Sequence, residues 1–216
     1  MPLPLRQFDC LYHVGHLQSP PRSPRSSLEG HGLSVSLVPE VWRRIARLGD
    51  SPCYRLERAA GAFLDAWAVR EDSTLRTTIE TWACQEGFLV RAPVYTVEWF
   101  DDEWDQTFEI SVLDPREARE EAEDRGGDVR EIDGWLPTVA LCEATLYPKQ
   151  EPAMALDLAM LLYADRETDL DGVYWADDLV PDALSAPRGC IFPSRLGRWS
   201  ITLEATPCPQ PSRLRP

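Results

Sequence analysis

Lysine is almost absent from this 216-residue chain: Lys149 stands alone against 21 arginines. That skew fits coding bias and points to no mechanism. No apolar run comes near the ~20 residues that a membrane-spanning helix needs, so no membrane segment is expected. The opening Met1-Pro2-Leu3-Pro4-Leu5-Arg6 lacks the cationic-then-apolar order of a secretory signal, which makes a cytoplasmic location the expectation. Six cysteines are scattered (Cys10, Cys53, Cys84, Cys142, Cys190 and Cys208), and none forms a C-x-x-C pair. Zinc sites normally need such pairs, and a chain this long does not depend on disulfides, so the thiols are expected to be buried or idle. Neither G-x-G-x-x-G nor a P-loop occurs, which removes two common phosphate-cradling loops.

What is present suits a globular fold. Hydrophobic residues make up 44% of the chain and charged residues 27%, enough for a core under an ordinary surface. The length fits one domain, expected over residues 1–206, with a proline-bearing tail at 207–216 that should fray. The net charge of −14 is uneven. Residues 98–133 hold 15 acids and 4 arginines, so that stretch alone carries −11. An acidic middle repels phosphate backbones, which argues against general nucleic-acid binding. The two ends are arginine-richer and tolerate a small anionic ligand.

The pattern of elements is mixed. Residues 8–14 and 32–37 read as strands. Pro39 opens a short helix from its favoured first position, and Gly49 ends it. Residues 53–57 and 62–66 are two candidate short strands. Ser73 is the expected cap of a second helix. Residues 94–100 and 106–113 form a hairpin across the acidic turn Asp101–Asp105, which is expected to be solvated rather than to hold a cation. Asp114-Pro115-Arg116-Glu117 starts a helix that is polar almost all round and can pack only Ala118 and Ala122. By contrast, residues 152–164 leave little polar face and should be buried. Residues 172–175 and 190–192 complete the strands. Trp42, Trp82 and Trp175 fall on core faces. The class expected is α+β, with the acidic segment 98–133 as a peripheral insertion.

Three segments carry chemistry. Leu11-Tyr12-His13-Val14-Gly15 places a histidine near a strand end with a glycine two residues on. Gly30-His31-Gly32-Leu33-Ser34-Val35-Ser36 then leads through Pro39 into a helix. Asp171-Gly172-Val173-Tyr174-Trp175 precedes Asp177-Asp178 and Pro187-Arg188-Gly189. Each has a plain structural reading: a half-buried histidine, a glycine-rich turn, and acids paired with an arginine.

In order and spacing, however, the three resemble the ADP-ribosyltransferase-like superfamily over about residues 8–48 and 158–196, including its small toxin-like members. The resemblance implies a split-sheet core and NAD as substrate, with ADP-ribose transferred to a target. His13, Gly15, Gly32 and Ser34 would then bind the cofactor, Ser34 standing where many members have a stacking tyrosine. Arg188 falls about where the family has its glutamate, so Asp178, or Asp177, would supply the carboxylate, and Arg188 would bind an anionic group. Two alternatives stay open. One is a non-catalytic binding protein that keeps the cleft. The other is an interaction protein whose acidic middle, with Trp99 and Trp104, docks a basic partner.

Overall fold

The computed structural model describes residues 2–17, 31–177 and 185–204. The larger sheet is organised around one strand. β3 (Cys53–Asp65) pairs antiparallel with β1 (Leu5–Val14) along one edge. Its other edge is divided. The first half pairs with β9 (Ser200–Leu203), and the last residues pair in parallel with β7 (Gly172–Trp175). β8 (Arg188–Ile191) and β2 (Leu33–Val35) follow antiparallel beyond β7. The sheet then curls until Tyr12 and Ser36 exchange two backbone hydrogen bonds, 3.0 and 2.8 Å, so that β2 meets β1 again.

The sheet's two faces build two cores. On the inner side of the curl lie Leu11, Val35, Leu56, Phe63, Tyr174, Ile191 and Trp199. On the outer side Val173, Trp175, Cys190 and Phe192 pack under helices. Among these are α2 (Ala66–Glu71), α3 (Ser73–Gln85), α5 (Val139–Thr145) and α6 (Ala155–Glu167). α1 (Pro39–Ile45) begins with proline at its first turn, as expected.

A second, three-stranded sheet has the order β5-β4-β6: β4 (Leu89–Asp101) at the centre, β5 (Gln106–Val112) and β6 (Asp128–Pro137) at its sides. α4 (Pro115–Arg125) lies on one face and buries Ala118 and Ala122 against Val97. Its start is capped by Asp114, whose carboxylate accepts from the Arg116 N–H at 2.7 Å, and Gly126 ends it in the left-handed conformation. The acidic turn is also locally built: Asp101 Oδ1 accepts from the N–H groups of Glu103 and Trp104.

The chain is α+β, as its pattern suggests. Several local expectations need correction. The two short strands at 53–57 and 62–66 are one strand, because an irregularity at Ala60 (φ 51°) lets it bend without breaking. The Ala60 N–H is held there by Asp9 Oδ1 at 2.8 Å. Asp72, not Ser73, caps α3, its carboxylate accepting from Thr74 and Leu75. The boundaries expected at 98 and 133 cut through β4 and β6, which pair from Leu89↔Pro137 to Glu98↔Asp128. Trp99 is half-buried, stacked on Phe108 at 5.7 Å and under Arg125 at 4.4 Å, while Trp104 is exposed. The tail at 207–216 lies outside the described residues. No helix of the described residues is long and apolar enough to cross a membrane.

One acid inside the apolar α6 ties these layers together. Asp157 is 4% exposed and accepts two hydrogen bonds from Arg70 Nη2, at 2.8 and 2.6 Å, and one from Trp175 Nε1 at 3.1 Å. Removing one partner of a buried pair strands a charge, at a cost of about 3 kcal/mol. Arg70→Ala should therefore lower unfolding stability by about that amount, and adding Asp157→Leu should recover most of it. Urea melts of the two variants check both statements.

Candidate functional site

Charged side chains gather at the carboxyl ends of the parallel pair β3 and β7. Asp65 closes β3 and caps α2, with Oδ1 accepting from the backbone N–H groups of Trp67 and Ala68 at 3.1 and 3.3 Å. Its Oδ2 accepts from Arg6 Nε at 2.6 Å. Asp177, two residues past β7, accepts from the Trp67 indole Nε1–H at 3.2 Å. Its second oxygen lies 3.4 Å from Arg188 Nη2. Two carboxylates thus share one tryptophan, through its backbone and indole N–H groups, and each faces a guanidinium. Trp67 itself is 42% exposed, with Arg70 5.1 Å over its ring.

Beside this cluster Tyr174 is buried and packed on Phe8 at 4.5 Å. Burial, more than any other influence, pushes its phenol up beyond the working range of a protein, and the Asp177 charge pushes the same way. Arg6 and the nearby Leu37 backbone oppose this without overcoming it. Tyr174 is therefore a neutral hydroxyl facing charged neighbours.

The residues singled out by motif fall into two groups. His13 and Ser34 do meet: the His13 imidazole Nδ1 lies 2.8 Å from the Ser34 carbonyl and donates to it. The contact is with the Ser34 backbone. Leu33 and Val35 pack in the inner core, so strand alternation turns the Ser34 side chain to the opposite face. His13 is 7% exposed. Gly15 adopts φ 135°, a region favouring glycine, and its N–H donates to the Pro52 carbonyl at 2.9 Å. Gly32 lies so close to β8 that a Cβ would sit 2.2 Å from the Ile191 carbonyl oxygen. His13, Ser34 and Gly32 join β1, β2 and β8 near the level of Val173, while Gly15 ties the end of β1 to Pro52 before β3.

Asp177 and Arg188 form the second group, and it is displaced along the strands. Four residues separate Val173 from Asp177, on the order of 13 Å at the rise of an extended chain. The sheet carries both groups at different levels. Asp178 lies outside the described residues.

His31, from the same glycine-rich segment, has a distinct place. Its Nδ1 faces the Ala144 carbonyl at 3.1 Å and its Nε2 faces Asp165 Oδ2 at 3.0 Å. The other Asp165 oxygen lies 3.4 Å from Ser194 Oγ. The serine thus contacts the acid rather than the imidazole, which is not the order of a nucleophile–base–acid triad.

Motif reasoning missed Arg6, Asp65, Trp67 and Tyr174. Asp65 carried a usable signal, an acid at the end of a strand directly before a helix. Arg6 had none, because its role arises from β1 lying beside β3; Trp67 had none, because its indole meets Asp177 from beyond β7; Tyr174 lay within the third motif but was given no role there. With the geometry in hand, comparison adds no relative: the chain matches no protein-family model, and no curated protein and no solved structure is significantly similar to it.

The His31 contact has a pH consequence. The hydrogen bond from His31, foremost, holds the Asp165 carboxyl below its ordinary value; His31 charge, the Ser194 hydroxyl and Arg195 add to this against burial. A carboxyl depressed on folding contributes stability above its unfolded value, and that contribution is lost as pH falls through the folded one. Asp165→Asn should thus be less stable than the parent near neutrality, and the gap should close below about pH 4. Denaturant melts across that range measure it.

Proposed function

We propose that this chain is an NAD-binding, ADP-ribosyltransferase-like protein that seats the dinucleotide at the cluster of Arg6, Asp65, Trp67, Asp177 and Arg188. The observation that carries the reading is the sharing of Trp67 by two carboxylates, each opposite an arginine. Each part of the ligand finds a matching group. A half-exposed indole offers a stacking face for a planar base. Guanidiniums grip a pyrophosphate through paired hydrogen bonds. Carboxylates accept from ribose hydroxyls.

In the transfer, the bond from ribose C1′ to nicotinamide breaks and its electron pair leaves with nicotinamide. A nucleophile of the target bonds to C1′ and gives up its proton. Positive charge develops on the ribose between these events, and Asp177 is the carboxylate that faces it. Asp178, next in the chain, is the alternative acid. His13, Gly32 and Ser34 serve the site by fixing β1, β2 and β8 against one another, and Gly15 by tying the end of β1 to Pro52. A second reading, a binding protein without catalysis, is favoured by the Arg188–Asp177 contact, which puts a guanidinium where the resemblance expects a glutamate.

Calorimetry with NAD and an assay of released nicotinamide separate the readings. The transferase binds NAD and releases nicotinamide, and Asp177→Asn cuts release by about 10²–10³ without changing the melting temperature. Binding without release assigns the chain to the second reading. No binding at millimolar NAD removes both.

A further inference from the structure

The three-stranded sheet has one guarded edge and one open edge. β6 carries Asp128, Arg130, Glu131 and Asp133 and ends at Pro137. Charges and proline are the usual means of keeping other chains off a strand. β5 is different. Among the described residues its only ladder partner is β4, and the register runs unbroken from Tyr95↔Val112 to Asp101↔Gln106. Its seven residues, Gln-Thr-Phe-Glu-Ile-Ser-Val, contain no proline and no lysine. Along such an edge every second residue turns its N–H and C=O outward, ready for another strand.

The surroundings state what kind of strand would come. Residues 98–133 carry −11 of the chain's −14. Asp101, Asp102, Glu103 and Asp105 crowd one end of β5; Asp114 and the α4 acids Glu117, Glu120 and Glu121 follow the other. Phe100 and Trp104, 55% and 52% exposed, add apolar surface beside the turn. An acidic strand would be repelled here and a basic one drawn in. The chain's own arginine-bearing stretches are poor candidates. Arg22 and Arg25 stand among Pro20, Pro21 and Pro24, and Arg213 follows Pro207, Pro209 and Pro211. Proline cannot donate to a ladder.

We propose that the β5 edge docks an extended lysine- or arginine-rich segment of a protein partner, which adds to the sheet as a fourth strand. The backbone supplies the ladder and the acidic lobe supplies the selectivity for positive charge. The proposal stands on the lobe alone and does not depend on the nucleotide reading.

The full chain is titrated with a peptide matching β5 in length and alternating lysine and threonine. Two controls accompany it, one N-methylated at alternate amides and one with glutamate for lysine. Amide hydrogen exchange and affinity are read. The lysine peptide should protect β5 amides, and its affinity should fall by about tenfold or more between low and physiological salt. N-methylation should weaken it by about tenfold or more, the glutamate peptide should not bind, and Glu109→Lys should lower the affinity of the lysine peptide. Equal binding of the N-methylated peptide would mean that charge alone holds it, and the edge proposal would fall. Protection confined to other strands, or no binding of the lysine peptide, overturns it as well. A concentration-dependent dimer that Glu109→Lys dissolves would give the edge to a second copy of this chain, again against the proposal.

Discussion

The Asp157 carboxylate is surrounded by α6's own leucines and would be intolerable there without partners. Burying an ion costs several kcal/mol, and only close geometry recovers it. Arg70 and the Trp175 indole supply that geometry, and in doing so they set α2 and the end of β7 at fixed positions against α6. The consequence extends outward. Arg70 lies over Trp67, Trp67 donates to Asp177, and Asp177 faces Arg188. A constraint deep in the helical layer is thus handed, one contact at a time, to the charged cluster at the strand ends.

Charge divides the molecule into two working regions. The curled sheet carries arginines in that cluster, each opposite an acid, so an anion can be met without leaving a buried cation alone. The three-stranded lobe concentrates negative charge where a small anionic ligand would not go. β4 connects them: Leu89, at its start, lies in the main core, and Val97, further along, lies in the core of the lobe.

Much of the fold was legible because its signals are local. Pro39, Asp114-Pro115 and Gly126 mark helix ends through backbone chemistry alone, and the apolar run of α6 required burial. β6 was not legible: Asp128 to Asp133 alternates too little, and it is a strand because β4 offers ten residues of partner. β3 read as two strands because Ala60 and Gly61 break the pattern, whereas a single side chain, Asp9, bridges the irregularity. At the site, His13 and Ser34 were found by spacing, although their contact runs through a carbonyl. Trp67 escaped notice since its meaning depends on Asp177, over a hundred residues away.

The central claim is that the cluster around Trp67 receives NAD. The chain has eight tryptophans, and their indole N–H resonances can be followed one by one in a nitrogen-edited spectrum, with Trp67 assigned by substitution to phenylalanine. On titration with NAD, the Trp67 indole signal should move in a saturable way, because its hydrogen bond to Asp177 borders the ligand. A Trp67 resonance that stays in place while NAD binds, or shifts confined to the tryptophans of the acidic lobe, would contradict the account.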